Sequence, residues 1–387
     1  MSIYSRYGVK RVVNAAFHYT RLGGSTLTPK VLEAMEEANK SYVYMWDLIE
    51  KGGEYIAEKI NAPAAWITSG AFNALVLAAA ACMVGDDPEE MRKLPNTEGM
   101  KNEFIIQRSA RLLVYDRSIE VAGGKFVFVG DENWGCAPEQ IERAITDKTA
   151  GIHYAYPSMP RSNICPLEKV LEIGKKHGVP VIVDGAGITY PKDLQAKFME
   201  MGCDLVAVGG KYVGGPNSTG YIYGRKDLID AIALHSFIGA EAGPNEQGGY
   251  YRSLGRGYKL DRQEIIGLLV AFDEWMEIDH DKERFQPAWE KAKYIEKGIK
   301  DLSGLKDARI QYHPRSGVGM GYHTLGLHVS LDISVDETNK LIRSMREGDP
   351  EVWVRNWGNS SDFIINTINL QPGDEEIIVQ RFKEIFG

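Results

Sequence analysis

The chain has 387 residues, more than a single hydrophobic core usually serves, so a large domain joined to a smaller one is expected. Hydrophobic residues make up 44% and charged residues 25%, ordinary globular values that argue against a fibrous or disordered chain. A formal net charge of -8 opposes binding to a phosphate backbone, so nucleic acid is not expected as a partner.

The opening MSIYSRYGVKRVVNAA lacks the apolar stretch of a secretory signal, and no apolar run approaches the ~18 residues that cross a bilayer. The expectation is a cytoplasmic protein without membrane attachment. Cys82, Cys136, Cys165 and Cys203 are widely spaced and form no metal-ligand pattern, so free thiols and no metal are expected.

Short β-branched or apolar runs then alternate with amphipathic stretches, the pattern of a mainly parallel α/β sheet with helical crossovers. Predicted strands are Ala65–Thr68, Glu103–Gln107, Lys125–Val129, Gly151–Tyr156, Val179–Asp184, Leu205–Gly209 and Gly220–Tyr223. Helices are predicted near Phe72–Met83, Ala137–Ala144, Pro166–His177 and Leu194–Met201. From Arg262 the pattern changes. Glu264–Ile278 and Phe285–Leu302 read as long helices leading into a small α+β domain: a strand at His323–Asp332, a helix at Val335–Glu347, a strand at Asp362–Asn369 and a closing helix at Asp374–Phe386. The expected division is 1–262 for an N-terminal segment and large domain, and 263–387 for linking helices and a small domain. Gly317–Gly321 reads as a turn rather than a phosphate cradle.

Three segments of the large domain carry chemistry. In ITSGAFNALVLAAAA, Thr68, Ser69 and Gly70 precede a strongly apolar helix, whose N-terminus offers N–H groups and partial positive charge to a phosphate. A simple helix cap is the competing account. In VPVIVDGAGITYP a buried-type strand ends on Asp184, a carboxylate that suits a protonated ring nitrogen; an N-cap is again the alternative. In DLVAVGGKYVGGPNSTGYIYGR, Lys211 follows a strand between two glycine pairs that let backbone approach closely, which fits a Schiff-base lysine better than a turn lysine. A phosphate cup, a carboxylate for a pyridinium and an imine lysine, in that order, are what bound pyridoxal 5′-phosphate (PLP) requires. No G-x-G-x-x-G joins a strand to a helix, and Lys211 is followed by Tyr212 where a P-loop needs Ser or Thr.

From about Arg11 to Phe272 the chain resembles the selenocysteine synthase family of fold-type-I PLP enzymes, particularly its D-glucosaminate-6-phosphate ammonia-lyase-like branch. The resemblance rests on VVNAAFHYTRLGGS, TSGAFNALVLAAAA, NEFIIQRSA, PVIVDGAG, the Lys211 block and LGRGYKLDRQEIIGLL. It implies an aspartate aminotransferase-like large domain, a homodimer or dimer-based oligomer, and a small amino-acid substrate. It places Thr68, Ser69, Gly70, Ala71, Arg108, Asp184, Ala186, Gly209, Lys211 and Thr219 about the cofactor. Arg21, Arg256 and Lys259 fall on its substrate side, with surface charge as the competing account. The expected activity is elimination of the ammonia-lyase or dehydratase type on a hydroxylated or anionic amino acid, with Lys211 as base. Racemisation, transamination and aldol cleavage share its first steps, and a non-catalytic PLP-binding protein is the remote alternative.

Overall fold

The computed structural model describes residues 3–111, 115–157, 163–241, 252–314, 322–356 and 360–386. The Gly317–Gly321 loop lies outside these residues. The chain divides into two compact units: Leu27–Met276, and Met1–Thr26 together with Glu277–Pro314 and Tyr322–Gly387. The helix Arg262–Glu277 begins at the position where the sequence pattern changes.

Among the described residues the strands in chain order are β1 (Val12–Ala15), β2 (Ala64–Thr68), β3 (Glu103–Gln107), β4 (Lys125–Val129), β5 (Thr149–Ala155), β6 (Val181–Asp184), β7 (Leu205–Gly209), β8 (Gly220–Gly224), β9 (Leu305–Pro314), β10 (Tyr322–Leu331), β11 (Glu351–Val354) and β12 (Asp362–Asn366). In the larger unit seven of them form one sheet in the order β2-β8-β7-β6-β5-β3-β4. Neighbours from β7 to β4 are parallel, and only β8 runs against β2 and β7. All residues of β5, β6, β7 and β8 are buried, as expected for strands covered on both faces.

The helix Gly70–Val84 is buried along most of its length because it is apolar all round rather than striped. The helix Met45–Lys59 carries Gly52 and Gly53, poor helix residues whose use is packing. A Cβ on Gly53 would stand 2.2 Å from the Ala65 carbonyl oxygen, so the glycine lets this helix lie directly on β2.

The smaller unit has an antiparallel sheet, β12-β10-β9, and a parallel pair, β1-β11, that joins Val12–Ala15 to Glu351–Val354. Its core includes Val13, Leu327, Val352, Phe363 and Phe382. Among the described residues, no helix is long and apolar enough to cross a membrane.

Candidate active site

The site grows from register. Gly220 of β8 pairs with Thr68 of β2 on one side and Gly209 of β7 on the other, so the two segments that leave β2 and β7 emerge close together. A Cβ on Gly220 would come within 2.8 Å of the Gly70 Cα, which makes a side chain there incompatible with this approach. On the far side of β7, Asp184 of β6 pairs with Ala207.

Lys211 sits in the short 3-10 turn Gly210–Val213 that follows β7, half-buried, with its Nζ 5.3 Å from the centroid of the Tyr212 ring. The turn is held at both ends. Gly209 N–H donates to the Ala186 carbonyl (2.8 Å) and Gly210 N–H donates to that of Thr219 (2.8 Å). The Thr219 hydroxyl donates to the Pro216 carbonyl (2.8 Å), so it braces the loop beneath the lysine. Gly210 has no room for a side chain, since its Cβ would lie 2.2 Å from the Thr219 Oγ1. Thr189 adds a bond from its hydroxyl to the Tyr212 carbonyl (3.2 Å).

Asp184 is 8% exposed and accepts a bond from the Ala186 N–H (3.2 Å), its one side-chain partner among the described residues. Burial pushes its carboxyl up from the ordinary 3.8 to about 6, against the pull of that N–H. No helix begins behind Asp184, the next being Leu194–Glu200, so it does not serve as a helix cap. Ser69 does occupy the N-cap position of Gly70–Val84, yet its side chain makes no capping bond. Gly70 opens the helix at φ +82°, a conformation that favours glycine, and Ala71 is half-buried in the first turn.

Arg108 leaves the same end of the sheet from β3, with β5 between it and Asp184. Its guanidinium lies 5.0 Å from the Phe128 ring, and Arg111, which the sequence reading passed over, stacks on that ring at 4.4 Å. The spacing in RSAR was the available signal. Arg111 is neutralised by buried Asp116 (2.9 Å). Arg256 lies in the turn Leu254–Gly257 and forms an ion pair with Glu241 (2.5 Å). Lys259 is exposed and makes no ion pair among the described residues. Arg21 belongs to the smaller unit, where it stacks on Trp353.

Residues 123–318 match the family described as aminotransferase class-V. The chain belongs to the class-V aminotransferase family. It is thus a PLP-dependent enzyme of fold type I, with the mainly parallel sheet expected from its sequence. Across 99% of its length it is 27% identical to a Streptomyces 5'-C-glycyluridine monooxygenase-decarboxylase, covering 91% of that protein. It is 25% identical over 99% of its length to the D-glucosaminate-6-phosphate ammonia lyase of Salmonella typhimurium, covering 98% of it. A solved D-glucosaminate-6-phosphate ammonia-lyase structure superposes over 100% of this chain and 98% of its own, with a TM-score of 0.80 and 24% identity.

The donor set in this class-V chain fits PLP. A buried carboxylate with one backbone partner suits a protonated ring nitrogen, and a glycine-led helix start beside an uncommitted serine side chain suits a phosphate. Lys211 lies in the turn that follows β7, a strand between β2 and β6 in the sheet, and among the described residues no metal-ligating cluster competes.

Proposed function

We propose that the protein is a PLP-dependent lyase of the ammonia-lyase or dehydratase type, acting on a small hydroxylated or anionic amino acid. The observation that carries this reading is the similarity over 99% of the chain to an ammonia lyase, together with a buried Asp184 and a glycine-hemmed Lys211 at the ends of neighbouring strands. Within the class-V family we place the chain nearest the ammonia-lyase-like branch of the selenocysteine synthases, as a cytoplasmic homodimer or dimer-based oligomer whose larger unit holds the cofactor.

Bound PLP supplies an electron sink for negative charge developing at the substrate Cα. Lys211 would anchor the cofactor, and its free amine would take the proton from the substrate Cα. Asp184 would hold a proton on the ring nitrogen, while Ser69 and the N–H groups of Gly70 and Ala71 would hold the phosphate. Ala186, Gly209 and Thr219 keep the lysine turn in place, and Arg108 lends positive charge at the same sheet edge. Arg256 and Lys259 grip the substrate carboxylate, for which Arg256 exchanges Glu241 as its partner. Loss of a β-hydroxyl as water leaves an enamine that hydrolyses to a 2-oxo acid and ammonia, a sequence with no net oxidation.

A panel of D- and L-amino acids with β-hydroxyl groups, with and without further anionic groups, tests the reading by mass spectrometry. Ammonia and a 2-oxo acid in equal amounts are expected. The 27% identity to a monooxygenase-decarboxylase supports a second reading, for which CO2 release with O2 consumption is the distinguishing outcome.

A further inference from the structure

The turn that carries Lys211 is clamped on both sides of the lysine, and the second clamp comes from the loop that leaves Asp184. That loop is tight and tied to β7: Gly185 N–H donates to the Ala207 carbonyl (3.1 Å) and Ile188 N–H to the Gly185 carbonyl (2.7 Å). It ends on Thr189, which is 2% exposed. The Thr189 hydroxyl donates to the carbonyl of Tyr212, the residue after Lys211 (3.2 Å). Gly210, the residue before Lys211, is held by its own N–H bond to the Thr219 carbonyl (2.8 Å), so the lysine stands between two fixed neighbours.

Thr189 is itself held from behind. Its carbonyl accepts the indole N–H of Trp275 (3.0 Å), a buried residue of the helix Arg262–Glu277. The same helix meets the lysine loop twice more. The Ser218 hydroxyl donates to the Glu264 carboxylate (2.5 Å), and a Cβ on Gly210 or Gly215 would stand 2.8 or 3.1 Å from the Leu268 Cδ1. Positions 264, 268 and 275 follow the helical repeat and share one face, which serves as the backing of the turn. Burial alone does not call for threonine at 189. Valine would fill the same space, and a buried hydroxyl is unfavourable unless it is bonded.

We infer that Thr189 is a positioning residue for Lys211, with Trp275 fixing Thr189 in turn. A covalent bond to a ligand already held at its other end tolerates little displacement of the amine, so the brace favours the bonded cofactor over the free one. The loop starts at Asp184 and ends at Thr189, so one rigid segment sets both the carboxylate and the lysine. This inference rests on the assignment of Lys211 to the cofactor made above.

The test compares two ligands added to cofactor-stripped protein: PLP, and pyridoxamine 5′-phosphate, whose amine replaces the aldehyde and cannot condense with a lysine. Thr189→Val should weaken PLP binding roughly 3- to 10-fold, the effect of one neutral hydrogen bond, and change pyridoxamine 5′-phosphate binding by less than about twofold. Trp275→Phe keeps a ring and removes the N–H, and should show the same pattern; it decides the matter if Thr189→Val does not fold. Thr189→Ser keeps the donor and should bind PLP as the wild type does. Unchanged PLP affinity in both variants overturns the inference. So does equal weakening of the two ligands, which would mean that the residues shape the pocket rather than place the lysine. Borohydride labelling of the wild type separates the two failures: a label on another lysine rejects the Lys211 assignment, whereas a label on Lys211 with unmoved affinities rejects this inference alone.

Discussion

Asp184 is a residue whose placement opposes stability and serves chemistry. Raising a buried carboxyl from 3.8 to about 6 corresponds to about 3 kcal/mol at neutral pH, as an order of magnitude. Because the folded-state value is the higher one, its contribution is fully present below about pH 4 and is lost as pH rises through about 6. A cation beside the carboxylate reverses that penalty. Asp184→Asn should therefore raise the melting temperature of cofactor-stripped protein at pH 8, with a smaller difference at pH 4, while lowering turnover on the order of 100-fold or more. Calorimetry at both pH values and steady-state kinetics check this; a variant with normal turnover would remove the ring-nitrogen role. At Arg256 geometry matters as well as charge, since a planar fork grips a carboxylate through two bonds where Lys offers a point charge. Arg256→Lys is expected to lose about 1.5–3 kcal/mol, or roughly 10- to 150-fold in kcat/KM, with normal PLP absorbance. If Arg256→Lys and Lys259→Met both behave as wild type on an authentic substrate, the pair belongs to the surface.

At the scale of elements, the turn after β7 converts strand register into lysine placement. Gly210 is wedged between Thr219 and Leu268, whereas a Cβ on Gly257 would meet nothing within 4 Å. Gly210→Ala should shift the Lys211 turn and reduce PLP loading, with overpacking of about 1–3 kcal/mol, and Gly257→Ala should leave both unchanged. Absorbance at matched protein concentration and denaturant midpoints measure the contrast; equal loading in both variants would show that the turn tolerates displacement. The strands from Glu103–Gln107 to Gly220–Gly224 were legible because each is a short apolar run closed by a turn signal. The helix Met45–Lys59 was not, because Gly52 and Gly53 lower helix propensity and their use depends on β2, which lies later in the chain. The pair β1-β11 was equally hidden, since four-residue strands from opposite ends of the chain carry no local signal of partnership.

Over the whole molecule, the site residues that sequence reasoning drew into one constellation divide by the reach of their signals. Thr68, Asp184 and Lys211 stand at or just after the ends of strands, where a polar group closing an apolar run is conspicuous, and the sheet order sets β2 and β7 on either side of β8 with β6 next to β7. The central claim concerns one atom, the Nζ of Lys211. Borohydride reduction of the yellow PLP-loaded protein, followed by peptide mapping, should find the cofactor fixed to Lys211, and Lys211→Ala should lose both the visible band and the label. A label on any other lysine of the wild-type chain would contradict the account.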